Sequence, residues 1–383
     1  MKKIFLSLTL AFFIMSSVLS NYAYALSEIP ALESKSIVLM EPVSGQILYE
    51  NNADEERIPA SVTKLMTLLL VFEALENNEC SLADVVTASA YASSMGGTQI
   101  YLAEGEKMTL EELIIAIAVG SANDAAVAVA EYLAGSEEAF VALMNTKAKD
   151  LGMNNTNFMN PNGLPADNHY TTARDLSLLV REIVNKYPQI LNYTSLKSYT
   201  LREDSKPFEL YNKNKLLWWY EGADGLKTGW IGEESGYNVA ATATKDEMRL
   251  AAIVLGAEKT YDNFYDAMKL FNWGFENYTY QKLFAQGEEI ASCAVQKGEQ
   301  REVKLVASAD IGILSAKEEQ QDLRAQLTFV DINAPVQKGE ILGIVKVYAQ
   351  DECLGSYNVC AAEDVAALGF FGALKRVGSY FFS

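Results

Sequence analysis

The sequence has very few of the residues on which several common chemistries depend. Among its 383 residues there is one histidine, His169, and the four cysteines include no Cys-x-x-Cys pair. These shortages exclude a histidine-rich zinc site and a zinc site built on paired cysteines. We therefore expect no metal and no cofactor. If the protein is an enzyme, we expect its catalytic base to be a residue other than histidine.

Basic residues are also scarce relative to acidic ones. The chain has 31 Lys and Arg against 50 Asp and Glu, which gives a formal charge of −19. Contact with a phosphate backbone needs clustered Lys and Arg, so we do not expect nucleic acid as a partner. Apolar residues make up 50% of the chain, which is typical of a folded protein and excludes wholesale disorder. The length is sufficient for one large domain and a smaller one.

The chain begins with the three regions of a secretory signal peptide. Lys2 and Lys3 precede an apolar stretch at residues 4–19, and residues 23–25 (Ala-Tyr-Ala) match a small-x-small cleavage site. We predict that residues 1–25 are removed and that the protein is exported. The alternative is an uncleaved membrane anchor.

The cysteines are scattered along the chain and are not spaced like a disulfide framework. Disulfides are permitted in an exported protein. Cys353 and Cys360 therefore either bridge a hairpin or, more simply, remain free thiols.

Residues 361–383 are predicted to form an amphipathic helix. On a helical wheel the basic residues Lys375 and Arg376 lie opposite Phe370, Phe371, Leu374, Val377 and Phe381. Such a helix is expected to lie on the membrane surface, with its basic side chains facing anionic lipid. The alternative is a helix that packs on its own protein. After the signal peptide, no segment reaches the roughly 18–20 apolar residues of a spanning helix.

Hydrophobic periodicity predicts strands at both ends of a first domain and helices between them. Strands are predicted as a hairpin at 36–49 and at 238–243 and 249–255, and helices at 65–75, 113–117, 125–133 and 261–275. Thr109 with Glu112 forms a capping box before the second helix. The pattern predicts an α+β domain over residues 26–278, with one antiparallel sheet flanked by helices and completed by both ends of the domain.

The composition shifts after about Tyr280. Short alternating strands, such as 303–306 and 341–348, are separated by turns. They predict a small all-β domain, a β-sandwich, over residues 279–360.

Ser61 and Lys64 form an S-x-x-K pair at the start of the predicted buried helix. At this spacing both side chains project from one helix face. A serine hydroxyl becomes a good nucleophile only when a base removes its proton. A lysine can act as that base only if desolvation or a second cation lowers its pKa. The pair by itself is a common chance match.

Two further motifs are ordinary when each is considered alone. Residues 121–123 (Ser-Ala-Asn) lie in the short break between two predicted helices, where Ser and Asn often cap helix ends. Residues 227–229 (Lys-Thr-Gly) open a predicted strand and are compatible with a simple turn that carries a solvated lysine.

In this order, however, S-x-x-K, S-x-N and K-T-G are the signature set of penicillin-interacting serine enzymes. Other stretches also resemble the low-molecular-mass D-alanyl-D-alanine carboxypeptidases, namely 95–98 (MGGT), 120–126 (GSANDAA), 160–164 (NPNGL), 170–176 (YTTARDL) and 273–275 (WGF). The resemblance covers about residues 30–383. It implies a β-lactamase/transpeptidase-like catalytic domain, removal of the terminal D-alanine from peptidoglycan pentapeptide stems, and inhibition by β-lactams.

The resemblance also implies a role for each catalytic residue. Ser61 is expected to be the nucleophile and Lys64 the base that activates it. Ser121 is expected to pass a proton to the departing D-alanine. The backbone N–H groups of Ser61 and Trp230 are expected to form the oxyanion hole.

The remaining matched positions are expected to bind substrate. They are Asn123, Lys227, Thr228, Gly229 and Trp230. Asn123 is expected to orient the peptide, and Lys227 and Thr228 to bind its terminal carboxylate. Lys227 is also expected to lower the pKa of Lys64 by repulsion between the two cations.

One position departs from the family pattern. Where relatives often carry an arginine shortly before Trp-Gly-Phe, this sequence has Asn263, and Lys259 is the candidate to supply the missing charge. We expect His169 to be structural or on the surface, and Arg174 and Asp224 to brace loops.

Residues 218–220 (Trp-Trp-Tyr) have two interpretations. They either line a glycan-facing groove or pack within the protein.

Two other functions stay open on the sequence. A β-lactamase-like hydrolase shares the three motifs, but it adds a glutamate between the second and third, and no clear equivalent lies between Asn160 and Asp175. A weakly active peptidoglycan-binding protein is favoured only by Asn263.

Overall fold

The first part of the chain is an antiparallel sheet with helices packed on both faces. The structure, a computed structural model, describes residues 27–317, 322–349 and 351–369. Strands of this part are β1 (Ser36–Glu41), β2 (Gln46–Asn51), β3 (Val85–Thr87), β4 (Lys107–Thr109), β5 (Ser198–Leu201), β6 (Phe208–Tyr211), β7 (Ala223–Gly229), β8 (Tyr237–Lys245) and β9 (Met248–Ala257). Its helices are α1 (Lys64–Glu76), α2 (Ala90–Ser93), α3 (Leu110–Ile115), α4 (Asn123–Ala134), α5 (Glu137–Asp150), α6 (Ala173–Lys186), α7 (Ile190–Thr194), α8 (Leu216–Trp219) and α9 (Asp262–Asn277). A 3-10 turn at Ala60–Thr63 precedes α1, and a π-helical turn at Ala116–Gly120 follows α3.

The main sheet has five strands in the order β2-β1-β9-β8-β7, all antiparallel. Strand β1 pairs with β9, so both ends of this part complete one sheet, as predicted. Side chains alternate along a strand. Val38 and Met40 therefore join the core around α1, and Ile37 and Leu39 join the core beneath α9. The sheet thus separates two cores, and β7 lies at its edge.

The sequence accounts well for the helices around this sheet. Helix α1 is apolar on nearly every side and lies inside the larger core. The capping box of Thr109 and Glu112 is present at the start of α3. Helix α4 ends at Gly135, whose φ of +80° suits glycine. These elements confirm the predicted helical middle of the domain.

The second part of the chain is built from strands, as predicted. They are β10 (Tyr278–Phe284), β11 (Glu289–Gln296), β12 (Glu302–Ala307), β13 (Ile311–Ala316), β14 (Leu323–Phe329), β15 (Ile332–Asn333), β16 (Ile341–Ala349) and β17 (Glu352–Ala361). A six-stranded sheet has the order β14-β16-β17-β12-β11-β15, and β10 pairs with β13. Leu314 of β13 packs into the core beneath α9 and so connects the two parts.

The start of the predicted C-terminal helix is wrong. Strand β17 runs to Ala361, and Val365 forms a β-bridge with Val336. Val365 is buried in the core of the β-rich part. The apolar residues that predict the helix begin only at Phe370, so the preceding residues have no reason to be helical. Residues 370–383 and 1–25 lie outside the described residues. Within the described part, every helix is too short or too polar to cross a bilayer.

The disulfide alternative for Cys353 and Cys360 is also wrong. Both residues lie on β17, where Cys353 is opposite Tyr348 and Cys360 is opposite Ile341. They therefore do not face each other across a hairpin, and all four cysteines are free.

Candidate active site

Ser61 lies on the 3-10 turn that leads into α1, the most buried helix of the domain. The Nζ of Lys64, one turn further on, lies 3.1 Å from the Oγ of Ser61. Lys64 is completely buried. The S-x-x-K spacing thus brings hydroxyl and amine within hydrogen-bonding distance.

The amine of Lys64 has two other partners, both oxygens. It donates to Oδ1 of Asn123 at 2.7 Å and to the backbone carbonyl of Asn162. A neutral amine has two N–H groups and one lone pair. Two N–H groups satisfy these two oxygens, which leaves the lone pair for the hydroxyl hydrogen of Ser61.

The surroundings of Lys64 favour that neutral form. Burial is the main cause that lowers the pKa of its amine well below the usual 10.5, and repulsion from Lys227 and Lys213 adds to it. Asp124 opposes the effect. Because burial penalises the charged form, a fully buried lysine surrounded by cations can act as a base.

Lys227 is the second buried amine of the site. It is 3% exposed, and burial followed by repulsion from Lys213 lowers its pKa to about 7. Contrary to the prediction, Lys227, Thr228 and Gly229 close strand β7 and do not open it. The strand begins earlier because Ala223 already pairs with Ala243 of β8.

The second motif lies where two helical segments meet. Ser121 has a positive φ of 62° between the π-helical turn and α4. Asn123, in the first turn of α4, receives the Lys64 bond on Oδ1 and donates from Nδ2 to the carbonyl of Gly96 at 2.7 Å. Its backbone N–H donates to the carbonyl of Thr98 at 2.8 Å. Asn123 therefore connects Lys64 to the loop at residues 95–98.

Two glycines allow the backbone to approach the Ser61 turn closely. A Cβ on Gly229 would lie 2.6 Å from the carbonyl oxygen of Pro59 and 3.0 Å from the backbone nitrogen of Ser61. A Cβ on Gly163 would lie 1.9 Å from the carbonyl oxygen of Ala60. The end of β7 and the loop at residues 160–164 thus hold this turn from two sides.

These elements surround a cavity of about 630 Å³. Six of the eight predicted site residues line it, namely Ser61, Ser121, Asn123, Thr228, Gly229 and Trp230. Lys64 and Lys227 are buried next to it. All three motifs therefore converge on one site.

Lys213 is a cavity residue that the sequence analysis missed. Its exposed side chain lies at the cavity wall, where its Nζ donates to Oγ1 of Thr98 at 2.9 Å. Partial burial of the amine lowers its pKa. The neighbouring Asn212 and Asn214 are buried and bond to backbone carbonyls, which holds this segment in place. In the sequence, the only sign of this site is a lysine between two asparagines at residues 212–214, which is a weak signal.

Asn263 lies in the cavity wall. It is 2% exposed, and its Nδ2 donates to the carbonyl of Asn238 at 3.2 Å. Lys259 is exposed and does not line the cavity. Among the described lining residues, Lys213 supplies the cation.

His169, Arg174 and Asp224 each contact another residue of the protein. His169 is buried against Oγ1 of Thr63 at 2.9 Å, and burial lowers its pKa to about 4. Arg174 pairs with Asp54 at 2.7 Å, and Asp224 pairs with Arg249 at 2.6 Å.

Comparison with known proteins agrees with this geometry. The profile of a family described as D-alanyl-D-alanine carboxypeptidase matches residues 24–259. A second profile, of the C-terminal domain of penicillin-binding protein 5, matches residues 278–367. The chain is 41% identical to the D-alanyl-D-alanine carboxypeptidase DacF of Bacillus subtilis, over 90% of this chain and 89% of that protein. It is 32% identical to DacC of Escherichia coli, over 90% and 87% of the two chains.

Solved structures give the same result. Penicillin-binding protein 5 of Haemophilus influenzae aligns with a TM-score of 0.69 and 32% identity, over 88% of this chain and 98% of that one. Penicillin-binding protein D2 of Listeria monocytogenes, in its ampicillin-bound form, aligns with a TM-score of 0.58 and 33% identity, over 64% and 100%. With its motifs gathered in one cavity and its relatives matched along most of its length, the chain belongs to the D-alanyl-D-alanine carboxypeptidase family.

Proposed function

We propose that this enzyme cleaves the terminal D-Ala-D-Ala bond of peptidoglycan stems through an acyl-enzyme on Ser61, with Lys64 as the base. The 3.1 Å approach of the buried Lys64 amine to the Ser61 hydroxyl is the observation that carries this assignment. In the first step Oγ of Ser61 attacks the carbonyl carbon and its proton moves to Nζ of Lys64. The backbone N–H groups of Ser61 and Trp230 stabilise the oxyanion, at roughly 10²–10³-fold in rate per donor.

The intermediate then loses D-alanine and is hydrolysed. Ser121 relays the proton that Lys64 took from Ser61 to the leaving nitrogen, so that Lys64 is neutral again and Ser121 keeps its hydroxyl. The C–N bond breaks, and free D-alanine departs. Thr228, Lys227 and Lys213 attract the carboxylate of that D-alanine, and Asn123 orients the peptide. Water then attacks the Ser61 ester and releases the shortened stem. A β-lactam enters the same first step and leaves a stable acyl group on Ser61.

The place of action follows from both ends of the chain. Residues 1–25 direct export, residues 26–278 form the catalytic domain, and the β-rich domain runs from residue 279 to at least Val365. The amphipathic segment, whose apolar face comes from residues 370–381, rests on the outer surface of the cytoplasmic membrane.

Release of D-alanine from a pentapeptide ending in D-Ala-D-Ala tests the assignment. Wild type should release it, and Ser61→Ala should neither release it nor be labelled by a fluorescent penicillin. Undiminished release by Ser61→Ala would defeat the proposal.

The two open alternatives have different signatures in the same assays. Rapid turnover of penicillin would support a β-lactamase-like hydrolase. Among the described residues that line the cavity, however, there is no Asp or Glu to activate the deacylating water. Absence of labelling in wild type would support a binding protein without catalysis.

A further inference from the structure

An exposed group of aromatic side chains adjoins the cavity. Trp219, Tyr261 and Tyr265 are 43%, 41% and 46% exposed, and Phe264 lies beneath them at 6%. We call these four residues the aromatic patch. It combines the end of α8 with the start of α9. Contiguous apolar surface on a folded protein is a mark of a binding site.

The patch is continuous with the cavity wall. Tyr261 and Phe264 line the cavity itself. The ring centre of Trp219 lies 5.3 Å from that of Tyr261. The ring centre of Tyr265 lies 6.1 Å from that of Trp219, and the two ring planes are nearly parallel, with an angle of 13° between them. An unbroken aromatic surface therefore leads outward from the cavity.

The backbone holds Tyr261 in an unusual conformation at this junction. Its φ is +76°, which is rare for a bulky residue. The preceding Thr260 donates to the hydroxyl of Tyr237 at 2.9 Å, and the ring of Tyr237 stacks on Trp230. Such a conformation persists only where the surroundings enforce it, and it is common at ligand sites.

We propose that the aromatic patch binds sugar rings of the glycan strand that carries the stem peptide, so that the enzyme recognises polymeric peptidoglycan in addition to the stem end. This inference rests on the proposed function. The apolar C–H face of a pyranose ring packs flat against aromatic rings of this kind. The exposed rings of the patch offer such faces beside the cavity.

Two observations favour a glycan over other occupants. A stem of five residues spans at most roughly 18 Å when extended. The glycan must therefore lie close to the cavity mouth, and the patch begins at the cavity wall. In addition, Asp262 directly follows Tyr261 in the chain, and Glu221 lies two residues after Trp219. Their negative charges disfavour an anionic lipid surface and leave a neutral sugar as the better match.

Kinetics on two substrates test the patch. The variants are Trp219→Ala, Tyr265→Ala and their combination, because neither residue lines the cavity. On glycan strands that carry uncross-linked pentapeptides, we expect kcat/KM of the double variant to fall about ten-fold, as for the loss of one or two aromatic contacts. On the free pentapeptide, kcat/KM should be unchanged. Trp219→Phe keeps an aromatic ring over Phe264 and should largely retain the activity on strands.

A matched control removes an exposed aromatic elsewhere. Tyr132 is 37% exposed, near the far end of α4. Tyr132→Ala should leave kcat/KM on both substrates unchanged. An equal fall of the double variant on both substrates, or no fall on strands, would overturn the proposal.

Direct binding separates this proposal from the proposed function. Peptide-free glycan strands, with their lactyl carboxylates capped as neutral amides, are titrated into wild type and the double variant in a calorimeter, and only wild type should bind. This readout stands even if wild type releases no D-alanine, a result that would count against the proposed function alone. Equal binding by both proteins would refute the patch. The proposal would also be refuted if the double variant bound strands normally but no longer bound anionic vesicles, which would indicate a membrane surface as the occupant. Loss of self-association in sedimentation, with normal binding of strands, would indicate a second copy of the chain.

Discussion

The amine of Lys64 lies 3.1 Å from the hydroxyl of Ser61, and burial and neighbouring cations favour its neutral form. A charged, well-solvated lysine at the same distance would have no lone pair to accept the Ser61 proton. The electrostatics of the site therefore matter as much as its geometry, and each part can be tested separately.

Replacement of Lys64 by methionine removes the proposed base and keeps most of the side-chain volume. We expect the rate of acylation by a penicillin to fall by about 10²–10⁴-fold. Stopped-flow or quenched labelling measures this rate, and thermal unfolding checks that the fold persists. Lys245→Met, at an exposed position at the end of β8, is the matched control. A Lys64→Met enzyme that acylates at the wild-type rate would exclude Lys64 as the base.

Lys213→Met tests the cation at the cavity wall. Lys213 lowers the pKa values of both Lys64 and Lys227, so its removal should raise both. Because Lys64 must be neutral to act, the ascending limb of the acylation rate against pH should move to higher pH. The KM for the peptide should rise by about five-fold or less, as for an exposed ion pair.

Lys215→Met is the control for this shift. Lys215 lies two residues along the same segment, and its amine lies over the ring of Trp218. Its removal should leave the limb where it is in wild type. An unmoved limb in Lys213→Met would show that burial and Lys227 set the pKa of Lys64 without a contribution from Lys213.

His169 should make the fold sensitive to mild acid. Its pKa is about 4 in the folded protein against 6.5 when unperturbed. Between these values the unfolded chain binds a proton that the folded chain does not, so stability falls as pH falls. The slope approaches about 1.4 kcal/mol per pH unit within this window. Urea unfolding at several pH values measures it.

The variant His169→Gln isolates that effect, because the chain has no other histidine. It keeps a polar partner for Thr63 and cannot titrate. The difference in slope between wild type and variant should disappear above pH 6.5. Identical slopes throughout the window would contradict the assignment to His169.

Gly163→Ala should damage both stability and catalysis. Its Cβ would meet the carbonyl oxygen of Ala60 at 1.9 Å and push on the turn that carries Ser61. We expect a loss of more than about 4 kcal/mol in the free energy of unfolding, or a shifted turn with slower acylation. Gly105 also has a positive φ, of +76°, but open space around it. Gly105→Ala should lower the free energy of unfolding by only about 1–2 kcal/mol, because it adds backbone strain alone. Similar losses at both positions would contradict the steric argument.

Local sequence patterns were sufficient for much of the fold. Apolar periodicity and the capping box at Thr109 each act through neighbouring residues, so they predict elements correctly. The prediction was wrong where it depended on distant partners. Val365 extends the β-rich part because it pairs with Val336, and Lys227 closes β7 because Ala223 already pairs with β8.

The sequence by itself determined which groups are available for chemistry: the serine and lysine at S-x-x-K spacing, the S-x-N and K-T-G motifs, and a single histidine. Tertiary structure decided how those groups behave. The desolvation of Lys64, the contribution of Lys213 and the tight fit of Gly163 against Ala60 arise between segments that are far apart in the chain. A pKa depends on everything that surrounds a group in space, and residue spacing along the chain does not report those surroundings.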